Sequence, residues 1–294
     1  MSAGVLAALV LGAAVLTVAA APALAPLLRS WGLVDVPNHR SSHETPTLRG
    51  GGLAPLVGVL LTAVAASAFG VAGLPWTALG VCAATALLGL IVDLRDVSPL
   101  VRIVALLLLG AVLGSVLGGV GTALLAALTL PVVVTVVNFM DGINGITALT
   151  AAAWGLVALL GGVAPPAVAL GALTLGAALG FLPWNLPRAR MFLGDCGSYF
   201  FGALLTAGIV LAQAGGGRPL FLAAPLLPYL VDTGVTLVRR AARGERLVDA
   251  HREHLYQRLS RRPGWGHTPV AGLWAAAALL VAGIWWLIRH NGAT

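Results

Sequence analysis

The acidic side chains of this 294-residue chain fall in, or at the edge of, five short polar segments that alternate with apolar runs. Ionisable groups cost free energy inside hydrocarbon, so a mostly apolar protein holds few of them. When those few gather on one face, catalysis or ligand binding is a better interpretation than packing. The ten acids are Asp35, Glu44, Asp93, Asp96, Asp141, Asp195, Asp232, Glu245, Asp249 and Glu253.

Two of the segments offer candidate ligands for a metal ion. Asp93 and Asp96 stand at the end of an apolar run, and paired carboxylates suit Mg²⁺, which prefers hard oxygen ligands. The alternative is that they only mark the membrane boundary. Asp195, flanked by glycines just before another apolar run, is the best single candidate for a metal ligand. We expect Gly197 and Ser198 to start the following helix, whose positive end attracts phosphate.

The first and third segments suit recognition of phosphate and nucleotide. Arg40 and Arg49 can hold phosphate oxygens, and the glycines at 50–52 allow close backbone approach to a ligand. The third segment, residues 138–145, combines Asn, Asp and Gly in a tight turn that suits a metal or a nucleotide base and ribose. An ordinary basic loop and an ordinary Asn/Gly turn are the alternatives.

The fifth segment contains two histidines and several arginines. If residues 250–259 form a helix, His251 and His254 share one face at a spacing of three. Together with Arg252 they suit recognition of a diphosphate at a membrane surface. A zinc site is the sharper alternative, but the segment lacks a cysteine or a third well-spaced ligand.

The remaining composition indicates what must position these segments. The chain is 59% hydrophobic and only 9% charged, whereas a soluble domain carries about 25% charged residues. A helix needs roughly 20 apolar residues to cross a bilayer, so the sequence predicts one integral, all-α, polytopic membrane domain over residues 1–294. About ten spans of that kind are predicted: Val5–Leu28, Leu53–Phe69, Pro75–Ile91, Leu100–Leu117, Ala123–Val137, Ile146–Val163, Pro166–Leu182, Tyr199–Leu211, Leu220–Leu237 and Val270–Ile288.

Arginine placement predicts the orientation. The loops that connect successive spans form two sets, and nearly all loop arginines lie in the set that holds the five polar segments. The positive-inside rule places that set in the cytoplasm and both termini outside. Cytoplasmic loops and lipid headgroups account for the net charge of +7 better than a nucleic-acid partner does. We interpret Val5–Leu28 as a retained helix rather than a cleaved signal.

The polar segments, taken in order, resemble a known enzyme family. PNHRSSHETPTLRGGG, NFMDGING, FLGDCGS and AHREHLYQRL are similar to motifs of the polyprenyl-phosphate N-acetylhexosamine-1-phosphate transferases, bacterial glycosyltransferase family 4, most of all the branch that primes O-antigen and related polysaccharides. The resemblance covers Asp35 to Leu259. It implies that a UDP-sugar gives its sugar-1-phosphate to undecaprenyl phosphate in the bacterial inner membrane and releases UMP. Mg²⁺ is the implied cofactor, with Mn²⁺ as an alternative.

The resemblance also implies roles for individual residues. Asp195 matches the metal-binding aspartate, with Asn138 grouped beside it, while Asp141 and Asn185 match positions that contact the uridine nucleotide. The predicted catalytic residues are Asp93, Asp195, His251 and His254; the predicted metal ligands are Asp195 and Asn138; and the predicted substrate-binding residues are Asn138, Asp141, Asn144, Asn185, Arg40, Arg49 and Arg252.

One position departs from the family pattern. The family has adjacent aspartates at the start of the second segment, and here the first is Val92. The missing carboxylate has been proposed as the base for the lipid phosphate. A phosphate monoester has a second pKa of about 6 and is largely dianionic at neutral pH, so we expect reduced but real activity. The alternatives are a degenerate homologue that binds without turnover and a lipid or sugar transporter. Neither the sugar nor the oligomeric state follows from the sequence.

Overall fold

The chain folds as a bundle of apolar helices with short connections, and a computed structural model describes residues 1–37, 45–246 and 251–291. A two-stranded antiparallel ribbon, Val34–Asp35 (β1) with Thr47–Leu48 (β2), interrupts the helices. The helices are Ala3–Ser30 (α1), Leu53–Ala68 (α2), Trp76–Leu94 (α3), Pro99–Met140 (α4), Ile146–Leu160 (α5), Pro165–Asn185 (α6), Gly194–Ala214 (α7), Pro219–Ala223 (α8), Leu227–Ala242 (α9, preceded by a 3₁₀ turn over Ala224–Leu226), Leu255–Ser260 (α10) and His267–Asn291 (α11).

The prediction of an all-α polytopic membrane protein is confirmed. Within the described ranges, seven helical segments are long and apolar enough to cross a bilayer, one of them formed by α8, the 3₁₀ turn and α9 together, and α2 and α5 are shorter apolar helices. The helix α4 covers two of the predicted spans. Non-helical backbone at Gly118 and Gly119 divides it into two arms. A Cβ built on Gly110 would lie 2.3 Å from the carbonyl oxygen of Ala126, so the two arms run antiparallel in close contact. The number of membrane crossings stays a prediction.

The bundle is organised around α7, in which every residue from Cys196 to Ala212 is buried. Helices α3 and α4 pack against α7, while α1 and α5 pack against α6. The outer helices instead expose leucine and valine, for example Leu108 and Val112 of α4. An apolar exterior around a tightly packed interior is what a hydrocarbon solvent requires.

Helix α9 has an inverted pattern that is typical of a membrane helix at a polar site. Its inner face buries Asp232, Thr233 and Thr236. Its outer face exposes large apolar side chains: Leu230, Val231, Val235 and Val238. The helix therefore turns polar groups toward the protein and apolar groups toward lipid.

Candidate active site

The predicted polar segments meet at one end of the bundle. Hydrogen bonds connect the first segment to the second, the second to the fourth, the third to the fourth, and the third to the fifth. Residues distant in sequence thus form one polar region beside the start of α7. This arrangement is what the one-sided distribution of acids predicts.

Asp93 lies at the centre of these contacts. Its side chain is 0% exposed, and its Oδ1 accepts hydrogen bonds from Arg49 Nε at 2.7 Å and from the Asp195 backbone N–H at 3.0 Å. Its Oδ2 accepts from the Cys196 N–H at 2.9 Å. The first N–H groups of a helix have no partner within the helix. The Asp93 carboxylate supplies that partner for α7.

This cap corrects the predicted start of the helix. The sequence predicts a start at Gly197 or Ser198 with free N–H groups for phosphate, but α7 begins at Gly194. The helix extends further because the buried carboxylate of Asp93 satisfies its first turn. The positive end of α7 therefore faces a protein carboxylate.

Two glycines allow this close approach. A Cβ on Gly89, one helical turn before Asp93, would lie 2.3 Å from the carbonyl oxygen of Asp195. Gly194 has a φ of +69°, which side chains rarely adopt, and a Cβ there would lie 2.6 Å from Asp93 Oδ2. Any larger residue at either position would push α3 away from α7.

Asp195 stands one residue after the start of α7 and is partly open to solvent, with 24% of its side chain exposed. Asn138 Nδ2 donates to Asp195 Oδ1 at 2.9 Å and to Ser198 Oγ at 2.9 Å. Arg102 Nη1 lies 3.7 Å from the other carboxylate oxygen. Sequence reasoning missed Arg102, whose only signal is a lone charge near the start of an apolar run.

Asp195 and Asn138 fit one kind of metal site. In the described part of the chain, no three His, Cys, Asp or Glu side chains gather as a complete ligand set. Mg²⁺, however, commonly binds one or two carboxylates and takes its remaining ligands from water and substrate phosphates. A partly exposed carboxylate beside an amide provides oxygen atoms for such an open site, and the adjacent Arg102 adds positive charge for an anionic substrate.

Asp141 follows the end of α4, on the same side of the bundle. Burial, together with the nearby charges of Asp195 and Asp93, raises the pKa of its carboxyl to about 8. The group is therefore mostly protonated at neutral pH and can donate a hydrogen bond as well as accept one. Its predicted contact with the nucleotide stays a prediction.

Asn185 and Asn144 connect the third and fourth segments. Asn185 is buried; its Oδ1 accepts from the Gly145 N–H at 2.5 Å, and its Nδ2 donates to Met191 O at 2.9 Å. Asn144 Nδ2 donates to the carbonyl of Pro187 at 3.1 Å. These contacts position the loops, and direct contact of either asparagine with a nucleotide stays a prediction.

The first segment is held by backbone pairing. The Gly51 and Gly52 N–H groups donate to the carbonyls of Phe192 and Leu193, each at 2.9 Å. The expected close approach of the glycines to a ligand is therefore an approach to the fourth segment. Arg40, predicted to bind substrate, lies outside the described residues, and Arg49 contacts Asp93.

The fifth segment differs from its prediction in secondary structure. Residues 251–254 are not helical, and α10 begins only at Leu255. His251 and His254 nevertheless lie together, with ring centroids 4.9 Å apart. His254 is buried, whereas His251 and Arg252 are partly exposed. Burial lowers the pKa of His251, and the neighbouring His254 lowers it further.

A second buried carboxylate explains where α10 begins. Asp232 Oδ1 accepts from the Leu255 N–H at 2.8 Å, and Oδ2 accepts from the Tyr256 N–H at 3.1 Å. The Tyr256 hydroxyl then donates to the carbonyl of Phe139 at 3.0 Å. Sequence reasoning assigned no role to Asp232 or Tyr256, because neither contact has a local sequence signal.

Known proteins share this sequence organisation. Residues 75–213 match the model of glycosyl transferase family 4. The chain is also 32% identical over 306 residues to decaprenyl-phosphate N-acetylglucosaminephosphotransferase of Mycolicibacterium smegmatis, an alignment that covers 85% of this chain and 74% of the relative. The chain belongs to glycosyl transferase family 4. Family-4 transferases are generally metal-dependent, in keeping with the oxygen ligands at Asp195 and Asn138.

Two further relatives align over shorter stretches. Undecaprenyl-phosphate alpha-N-acetylglucosaminyl 1-phosphate transferase of Thermotoga maritima is 32% identical over 182 residues, which cover 60% of this chain and 59% of the relative. Phospho-N-acetylmuramoyl-pentapeptide-transferase of Synechococcus sp. is 32% identical over 169 residues, which cover 52% of this chain and 46% of the relative. The family-4 chain described here is thus a multi-pass membrane phosphosugar transferase.

Proposed function

We propose that this protein transfers N-acetylhexosamine-1-phosphate from a UDP-sugar to undecaprenyl phosphate and so initiates a lipid-linked cell-envelope glycan. The observation that carries the proposal is the cluster at the start of α7, where Asp195, Asn138 and Arg102 adjoin a membrane-facing bundle. Family membership and the names of the relatives support the same reaction.

The reaction is a displacement at phosphorus. An oxygen of the lipid phosphate forms a bond to the β-phosphorus of the UDP-sugar, and the bond from that phosphorus to the oxygen bridging the two phosphates breaks. UMP leaves with the electron pair of that bond, and the products are UMP and a lipid diphosphate sugar. Such transfers depend on positioning and on neutralising negative charge rather than on covalent participation of the protein.

The residues near Asp195 suit those two tasks. Asp195 and Asn138 would hold Mg²⁺, or Mn²⁺ as an alternative, through oxygen atoms. When bound, the cation would offset charge on the diphosphate. Arg102 and the partly exposed Arg49 would add guanidinium donors for phosphate oxygens. The protonated carboxyl of Asp141 would hydrogen-bond the nucleotide from the adjoining loop.

The outer face of α9 suits the lipid acceptor. A shallow apolar hollow on this helix has an arginine at one end, and an apolar chain with an anionic head has the matching pattern of polarity. We place the polyprenyl chain there, with its phosphate directed toward the polar region. The hollow is lined by Leu230, Val231, Gly234, Val235, Val238 and Arg239.

The bacterial inner membrane with a cytoplasmic site is the proposed location. The polar segments hold nearly all the loop arginines, and such loops face the cytoplasm. A cytoplasmic site would also have direct access to a nucleotide sugar. Cysteine labelling at Arg188, which is exposed in the fourth segment, tests this orientation in intact cells and inverted vesicles.

The transferase activity is tested with purified protein, undecaprenyl phosphate, Mg²⁺ and a panel of UDP-sugars. We expect UMP and a lipid-linked sugar diphosphate to form in equal amounts with one N-acetylhexosamine donor. The Asp195→Asn variant is the control for a contaminating enzyme. Absence of both products with every donor would refute the proposal, and donor binding without products would favour a degenerate homologue.

A transporter is the second alternative, and the location of the polar groups counts against it. Transporters commonly bind substrate near the bilayer midplane at broken helices. Here Asp93, Asp195 and Asn138 lie at helix ends on one side. Movement of lipid or sugar in proteoliposomes without UMP release would favour the transporter instead.

A further inference from the structure

Asp232 is a buried carboxylate that has no role in the proposed chemistry. Its side chain is 3% exposed and lies on the inner face of α9. Burying a carboxylate is costly unless hydrogen bonds compensate for its lost hydration. Both of its oxygens have such bonds, and all of them come from the segment that carries the histidines or from α9 itself.

The contacts of Asp232 determine how α10 begins. The carboxylate accepts from the N–H groups of Leu255 and Tyr256, the first two residues of the helix. It also lies 3.4 Å from Nδ1 of His254, the residue just before the helix. A six-residue helix is too short to be stable without tertiary contacts. Asp232 supplies one such contact where the helix starts.

Helix α10 also contacts the loop of Asp141, which is predicted to bind the nucleotide. Tyr256 is buried, stacks against His254 with ring centroids 5.7 Å apart, and donates its hydroxyl to Phe139 O. A Cβ on Gly142 would lie 2.2 Å from the Tyr256 hydroxyl oxygen, so α10 directly borders the loop of Asp141. A shift of α10 therefore moves both the histidines and this loop.

We infer that Asp232 is a positioning residue, which fixes α10 and the adjoining histidines against the loop at 139–142. It acts through Leu255, Tyr256 and His254 and does not itself contact the reacting phosphates. Its effect on kinetics rests on the proposed transferase function. Its effect on the position of α10 does not.

Two variants test the inference by different routes. Asp232→Asn replaces one acceptor oxygen with an amide nitrogen, which can donate a hydrogen bond but cannot accept one. Leu255→Pro removes only the N–H that donates to Asp232, since proline is tolerated at the first helical position and His254 already has the extended backbone that precedes proline. Leu255 is exposed, so the ring has room.

Each variant has a matched control. Leu255→Ala shortens the same side chain but keeps its N–H group. Thr233→Val removes a buried hydroxyl from the residue next to Asp232, and within the described residues that hydroxyl has no hydrogen-bond partner. We expect both controls to behave like the native chain in the two measurements that follow.

Limited trypsin digestion of the detergent-solubilised protein measures the position of α10 without any need for activity. Arg258 is exposed on α10, and Arg190 in the fourth segment is an internal reference. We expect cleavage after Arg258 to become about tenfold faster in Asp232→Asn and Leu255→Pro, with cleavage after Arg190 unchanged. Native cleavage rates at Arg258 in both variants would overturn the inference.

Kinetics provide the second measurement. Displacement of the loop at 139–142 should raise KM for the nucleotide sugar about fivefold and lower kcat/KM about 30-fold in Asp232→Asn. A simple loss of folded enzyme would leave KM unchanged. If Asp232→Asn also speeds cleavage after Arg190 and is globally unfolded, Leu255→Pro decides the question: native KM and native cleavage at Arg258 in that variant refute the role. Absence of transfer by the native chain would refute the proposed function alone.

Discussion

The starts of α7 and α10 use the same device with different consequences. At each, a buried aspartate from another helix accepts hydrogen bonds from two backbone N–H groups with its two oxygens. Asp93 also pairs with Arg49 and holds a 21-residue helix in the centre of the bundle. Asp232 holds a six-residue helix at the edge. The Asp93 cap therefore supports both the fold and the candidate metal ligand Asp195, whereas the Asp232 cap supports one short helix of the site.

A carboxylate near a candidate site need not act on substrate. Asp93 lies among the predicted catalytic residues, yet its side chain is shielded from solvent and its oxygens already accept three hydrogen bonds. Asp195, one residue into the helix that Asp93 caps, is the one that solvent reaches. The catalytic role of Asp93 stays a prediction, and its contacts give it a positioning role in any case.

The largest effect is expected from Asp93→Ala. The change leaves the first N–H groups of α7 and part of Arg49 without their acceptor, so we expect unfolding to become easier by about 2–4 kcal/mol. Because Asp195 moves with the start of α7, activity should also fall by at least about 1,000-fold. Thermal denaturation in detergent and UMP release measure the two losses.

The control for Asp93→Ala is Arg95→Gln, an exposed position two residues further along. It should leave the melting temperature nearly unchanged. A native melting temperature in Asp93→Ala would show that the cap of α7 contributes little to the fold. The caps of α7 and α10 would then not differ in their contribution to the stability of the fold.

Asp195→Asn should separate chemistry from stability at the start of α7. The side chain is partly exposed and its hydrogen bond from Asn138 is retained by an amide oxygen, so the melting temperature should change little. Loss of the anionic oxygen should nevertheless reduce UMP release by about 1,000-fold. Isothermal titration with Mg²⁺ in the presence of the UDP-sugar should show weaker binding. Full activity in this variant would exclude Asp195 as the metal ligand.

The loop between the two caps should make donor binding depend on pH. Burial raises the pKa of Asp141 to about 8, so its carboxyl is neutral at pH 7 and ionises as the pH rises above 8. Ionisation removes the hydrogen-bond donor and adds negative charge beside a diphosphate. We expect KM for the UDP-sugar to rise about tenfold between pH 7 and pH 9.

The same pKa gives a stability effect of definite sign. The raised pKa means that the folded state binds a proton that the unfolded state releases above pH 4, so stability falls as the pH rises between about 4 and 8. Asp141→Asn imitates the neutral acid and should flatten both the KM profile and the stability profile in this range. A KM profile that keeps its native slope in Asp141→Asn would assign the pH dependence to another group.

The smallest effect is expected from Val92→Asp. Val92 is buried beside Asp93 but lies outside the main cluster of buried hydrophobic residues. The lipid phosphate is already largely dianionic, so a restored carboxylate should raise UMP release by less than about tenfold. Release by the variant alone, with none from the native chain, would show that the missing carboxylate is required.

The sequence predicted the elements of the fold better than their ends. Apolar runs predicted the membrane class, and the gap between the predicted spans Leu100–Leu117 and Ala123–Val137 coincides with the break in α4 at Gly118 and Gly119, because bilayer thickness and helix geometry act on consecutive residues. The start of α7 at Gly194 and the extended backbone before α10 were missed. Both depend on a carboxylate contributed by another helix.

For the candidate site too, the sequence predicted some features and only the tertiary structure decided others. The residue types and their order in five segments indicated phosphate chemistry on one side of a membrane, since charge and hydropathy are properties of the sequence itself. Which acid would face solvent and which would cap a helix was decided only by tertiary structure. Asp93 and the N–H it accepts from lie 102 positions apart, and Asp232 lies 23 positions from Leu255. The role of each carboxylate depends on which hydrogen-bond donors surround it, and those donors come together only when the chain folds.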